Sequence, residues 1–131
     1  RFSDHSRETF GAVLDTCDWI VTVSVAALAI DLGLYVFNPE VVWYVGLSGA
    51  LHGIVVTGAL ALAVARIRLG VILLVLVGGK IAWEQWAGPL PLSELTSGGP
   101  VVTEAHLYGA VGGVIAFAAL CGIRGPRIAS L

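Results

Sequence analysis

Four apolar runs, each stopped by charges, proline or glycine clusters, constrain this chain more than any other feature. They lie at Trp19–Phe37, Ser48–Ala65, Leu69–Trp86 and Glu104–Gly122. A helix rises about 1.5 Å per residue, so runs of roughly 18–20 residues are long enough to cross about 30 Å of hydrocarbon. The charged fraction is 12 %, about half that of an ordinary soluble domain. The expected fold class is an all-α polytopic membrane protein with four transmembrane helices. Residues 19–122 form its membrane domain, flanked by a polar segment at 1–18 and a short tail at 123–131.

The breaks between runs give an orientation. Asn38-Pro39-Glu40 ends the first run, because proline lacks a donor and restricts the residue before it. The stretch 87–103 carries Gly88-Pro89, Pro91, Gly98-Gly99 and Pro100, the chemistry of a loop. Neither connection contains Lys or Arg, whereas Arg1, Arg7, Arg66, Arg68, Arg124 and Arg127 all flank the opposite side. The positive-inside rule makes that side cytoplasmic. Trp43, Tyr44, Trp83 and Trp86 suit interfacial belts, and Asp31 falls near an interface. The second run is the shortest in reach. If Arg66 and Arg68 anchor its end, Ser48 starts below the outer surface, at the floor of a depression. Cys17 and Cys121 are expected to be free thiols, too few for a disulfide framework. The chain holds no methionine and opens on polar sequence without a signal-peptide pattern, as a fragment or processed form would.

Two polar residues open two of these helices. Ser48 begins one and His106 lies in the first turn of another, and both helices run from outside to inside, so their starts can be neighbours. A serine hydroxyl becomes a nucleophile when a base takes its proton, and histidine is the usual base at neutral pH. Gly49 and Gly53 follow the serine as a small-xxx-small pair, and Gly109 and Gly113 follow the histidine. Such pairs let membrane helices approach closely. Free backbone N–H groups of Leu47 and Ser48, at a helix start, point toward an oxyanion on an attacked carbonyl. No third triad member stands out, since Glu104 is poorly spaced for His106, so a Ser48–His106 dyad is expected. Lys80 and Glu84, four apart on one face, read as a structural pair.

Gly46-Leu47-Ser48-Gly49 resembles the GxSG motif of the rhomboid intramembrane serine proteases, and Ala105-His106-Leu107-Tyr108-Gly109-Ala110-Val111-Gly112-Gly113 resembles their AHxxGxxxG pattern. Trp43 to Gly49, Leu51-His52-Gly53, Trp83-Glu84-Gln85 and Thr103 to His106 make the chain similar to the rhombosortase branch. The resemblance covers about Phe37 to Gly122. It implies a rhomboid-like bundle in a bacterial inner membrane, with these four helices as the third to sixth of a six-helix core. It also implies a serine endopeptidase acting on membrane-anchored proteins near the outer face, with C-terminal tails of the GlyGly-CTERM type as substrates. In this family an aromatic four residues after the serine stacks on the catalytic histidine. His52 holds that position here and is expected to stack on His106. The family's HxxxN element has no counterpart, because Asp4-His5-Ser6-Arg7-Glu8-Thr9 does not fit it. The resemblance therefore places two core helices ahead of this sequence.

Other classes are weaker or open. No basic patch with interleaved aromatics points to nucleic acid. No HExxH or CxxC is present, so neither a metal nor an organic cofactor is expected. The expected partners are the lipid bilayer and transmembrane protein substrates. Two alternatives remain: a rhomboid-like pseudoprotease that binds membrane helices without cutting, and a small four-helix transporter with Lys80–Glu84 or His52 as its coupling site.

Overall fold

The computed structural model describes residues 14–41, 47–89 and 102–124. Arg1, Arg7, Arg127, Trp43, Tyr44 and Gly46 lie outside them, as does most of the stretch 87–103. The described residues form four helices: α1 (Thr16–Phe37), α2 (Ser48–Val64), α3 (Arg68–Ala87) and α4 (Thr103–Arg124). α1, α3 and α4 are long and apolar enough to cross a membrane, while α2 is an apolar helix of 17 residues. At about 1.5 Å per residue α2 covers roughly 25 Å, short of a hydrocarbon core.

Local chemistry sets the helix ends. α1 starts three residues before Trp19 because Asp15 and Asp18 form a capping box. The Asp18 N–H donates to the Asp15 carboxylate and the Asp15 N–H donates to the Asp18 carboxylate, each at 2.9 Å. α2 closes in a Schellman turn. The Ile67 N–H donates to the Leu62 carbonyl and the Arg66 N–H to the Ala63 carbonyl. That turn puts Arg66 at φ 62°, the left-handed region glycine normally occupies.

The most extensive packing joins α2 to α4, followed by α1 to α4. Backbone approach makes it possible. A Cβ on Gly109 would overlap the Gly49 carbonyl. One on Gly113 would come within 2.5 Å of the Gly53 oxygen, and one on Gly53 would lie 2.6 Å from the Ala26 Cβ. All three helices therefore meet around Gly53. The α1 face toward this crossing is a stripe at Asp18, Thr22, Ala26, Ile30 and Leu34, spaced as one side of a helix requires. Thr57 Oγ1 donates to the Gly113 carbonyl at 2.9 Å across the same seam. By contrast α3 packs mainly on α2 and only lightly on α4, and only Gly70, Ile81 and Glu84 of it are buried.

The outward faces are apolar. Leu28, Leu32, Tyr35 and Phe37 of α1, Val71, Ile72, Val75 and Leu76 of α3, and Val114 and Ile115 of α4 are all exposed. An apolar exterior on this scale is foreign to a water-soluble monomer and natural against lipid tails. Asp31 sits exposed on α1, and Cys17 and Cys121 are free, Cys17 exposed.

Candidate functional site

The ends of α1 and α3 and the beginnings of α2 and α4 meet at one end of the bundle. Cross-ties hold them there. Tyr108 Oη donates to Asn38 Oδ1 at 2.5 Å, fastening α4 to the cap of α1. Gln85 Nε2 donates to the Thr103 carbonyl at 3.1 Å, fastening α3 to the start of α4. Val56, Ile81 and Ala110 form an apolar floor beneath, with Val77 and Leu107 against it.

Five polar side chains close a ring above that floor. Ser48 Oγ lies 3.0 Å from His106 Nε2. His106 Nδ1 lies 2.7 Å from Glu84 Oε2. Lys80 Nζ donates to Glu84 Oε1 at 2.5 Å and reaches His52 Nε2 at 3.0 Å. His52 Nδ1 returns to the Ser48 carbonyl at 2.6 Å. The imidazoles of His52 and His106 stack, with centroids 4.2 Å apart and planes 15° apart.

Donor and acceptor chemistry constrains the protons around this ring. A carboxylate only accepts, so His106 donates from Nδ1 to Glu84, and in the neutral ring its Nε2 lone pair faces the Ser48 hydroxyl. An ammonium only donates, so His52 accepts at Nε2 and donates from Nδ1 to the Ser48 carbonyl. Every polar group in the ring is then satisfied, which a site sunk this far requires. Glu84 and His106 are 1 % and 2 % exposed, whereas Ser48 is exposed.

Glu84 changes the expected pattern. The dyad becomes a line of three, because a carboxylate from α3 rather than from His106's own helix reaches Nδ1. Lys80 and Glu84 do pair, and the pair is part of the serine–histidine site. Leu47 is the N-cap residue of α2, and among the described residues no side chain caps the helix. The N–H groups of Leu47 and Ser48 are therefore among the four at the helix start that have no partner within the helix. Gly49, Gly53, Gly109 and Gly113 lie in the helix crossing that brings Ser48 to His106.

His52, Glu84 and His106 offer one possible metal-ligand atom each, all within 4.8 Å of one another. Lys80 already occupies His52 Nε2 and Glu84 Oε1, and Ser48 Oγ lies against His106 Nε2. The fold and site together define a helical bundle of membrane-spanning character with a Ser–His–Glu line at one end. No family model, curated protein or solved structure matches the chain.

Proposed function

We propose that this protein is an intramembrane serine endopeptidase of the rhomboid type, with Ser48 as nucleophile and His106 as base and then acid. The contact of Ser48 Oγ with His106 Nε2 at 3.0 Å carries the reading. It joins an exposed hydroxyl to a buried imidazole across 58 residues of chain, at the end of two helices rather than at mid-membrane. The GLSG and AHLYG sequences and the glycine crossing support it.

In this reading Ser48 Oγ attacks a peptide carbonyl while its proton passes to His106 Nε2. The carbonyl electrons move onto oxygen, facing the N–H groups at the start of α2, those of Leu47 and Ser48. Collapse of the tetrahedral intermediate breaks the C–N bond, and His106 gives its proton to the departing amine. Water, deprotonated by His106, then releases the acyl group from Ser48. His52 stacks on His106 and keeps its ring plane. A substrate enters from the bilayer near its outer face, and the resemblance to the rhombosortase branch suggests a C-terminal sorting tail containing a glycine pair.

Labelling of the detergent-solubilised full gene product by a fluorophosphonate probe tests the reading. Wild type is expected to label, and Ser48→Ala and His106→Ala are expected not to. A folded wild type that stays unlabelled would refute it and favour the helix-binding pseudoprotease.

A further inference from the structure

The geometry points to Glu84 as the positioning residue of a Ser48–His106–Glu84 triad, with Lys80 as its fixed counter-ion. This rests on the protease reading of the same site. Three observations carry it.

Glu84 is a carboxylate with no exposed side-chain surface, on a membrane-spanning helix. A buried charge persists only when paired and hydrogen-bonded. Each of its oxygens has one partner: Oε1 takes Lys80 and Oε2 takes His106. Lys80 therefore neutralises the carboxylate without competing for the oxygen that faces the imidazole.

The second observation is the tautomer. By accepting from Nδ1, Glu84 obliges His106 to present its lone pair at Nε2, toward Ser48. It also lies 2.7 Å from the ring when that ring becomes an imidazolium. The proton transfer from Ser48 then creates a cation beside an anion already in place.

The third is the fate of the other histidine. His52 is one turn from Ser48 and touches its carbonyl, so two imidazoles flank the nucleophile. Lys80 donates to the one lone pair His52 has. His52 cannot take the serine proton while that contact lasts, and the reaction is directed to His106. Lys80 thus balances Glu84 and selects the base.

The test compares wild type with Ser48→Ala, Glu84→Gln and Glu84→Asp. Three quantities are measured: fluorophosphonate labelling rate, thermal unfolding midpoint, and the imidazole Nδ1 proton resonance in histidine-labelled protein. An amide at position 84 donates to Nδ1 and drives the proton to Nε2, so Glu84→Gln should slow labelling about 10³- to 10⁴-fold, the scale seen when a triad carboxylate becomes an amide. A strongly deshielded Nδ1 proton should appear in wild type and Ser48→Ala and vanish in Glu84→Gln. Glu84→Asp keeps the charge on a shorter arm and should fall between the two in rate, which keeps the test alive if the amide variant does not fold. Folded Glu84→Gln that labels within a few-fold of wild type, or keeps the resonance, would overturn the inference while leaving the protease reading intact. A wild type with the deshielded proton but no labelling would overturn the protease reading itself, and the triad's chemistry with it.

Discussion

Gly109→Ala is the sharpest mechanical test of the bundle. The added methyl would sit far inside van der Waals contact distance of the Gly49 carbonyl oxygen. Both groups belong to backbone, so no side chain can rotate away. Ordinary carbon–oxygen contact is about 3.4–3.5 Å, and restoring it requires α2 and α4 to separate by more than about 1 Å at this point. Gly49 is the residue after Ser48 and Gly109 is less than one turn from His106. The same separation carries the 3.0 Å Ser48–His106 contact to roughly 4 Å, beyond a hydrogen bond. Overpacking at such a contact costs about 1–3 kcal/mol, and a displacement of about 1 Å costs roughly 100-fold in a positioned reaction. Expected, then, are a lowered unfolding midpoint and a labelling rate down about two orders of magnitude. Gly53→Ala should behave similarly, because its methyl would meet the Gly109 oxygen at 2.8 Å. If Gly109→Ala labels at the wild-type rate and unfolds where wild type does, the close crossing is wrong, and with it the reason Ser48 reaches His106.

Gly78→Ala is the matching control: nothing lies within 4 Å of its Cβ position, so labelling stays unchanged and stability is unchanged or raised by up to about 1 kcal/mol, read by thermal unfolding. Arg66→Gly relieves the left-handed turn after α2 and should raise stability by about 0.5–1 kcal/mol; a lowered midpoint would refute strain at that residue. Tyr108→Phe removes the bond to Asn38 and leaves a polar acceptor short of a partner, costing about 1 kcal/mol; an unchanged midpoint would mean the tie contributes nothing to holding α1 against α4.

Much of the architecture was legible because membrane helices announce themselves by length and hydropathy, and because Asn38-Pro39 and Gly88-Pro89 can only interrupt them. The start of α1 was less so. Asp15 and Asp18 look like surface charges until their spacing of three is read as a reciprocal cap. The pairing of Ser48 with His106 could be inferred from helix direction and from glycines placed just after each residue. Glu84 could not be placed the same way. Its spacing from Lys80 reveals a pair on one face of α3, but the identity of the facing helix depends on how far α3 leans toward α4. That tilt is set by contacts as small as Gly70 against the α2 backbone, where a Cβ would meet the Ala59 oxygen at 2.5 Å. One available signal was the cost of a buried carboxylate: an acid on a spanning helix calls for more than one partner, and His106 is the nearest donor without one.

The arrangement also explains why a membrane can hold so polar a site. Lys80 and Glu84 pair, so with neutral imidazoles the ring presents no net charge to a low-dielectric surrounding. Each proton is committed to one acceptor, which removes the unsatisfied groups that are costliest there. In the proposed reaction, attack on a carbonyl creates an oxyanion and an imidazolium together and leaves that balance unchanged. The helices that carry Ser48 and His106 are locked by backbone contact at the Gly49–Gly109 and Gly53–Gly113 crossings. The helix that carries Glu84 packs on α2 but only lightly on α4, to which it is tied by Gln85 and Glu84. Precision therefore resides in the α2–α4 seam, while charge balance resides in α3. Substitutions in the seam should damage rate and stability through helix separation, whereas Glu84→Gln should damage both through the charge it leaves uncompensated on Lys80 and the tautomer it imposes on His106.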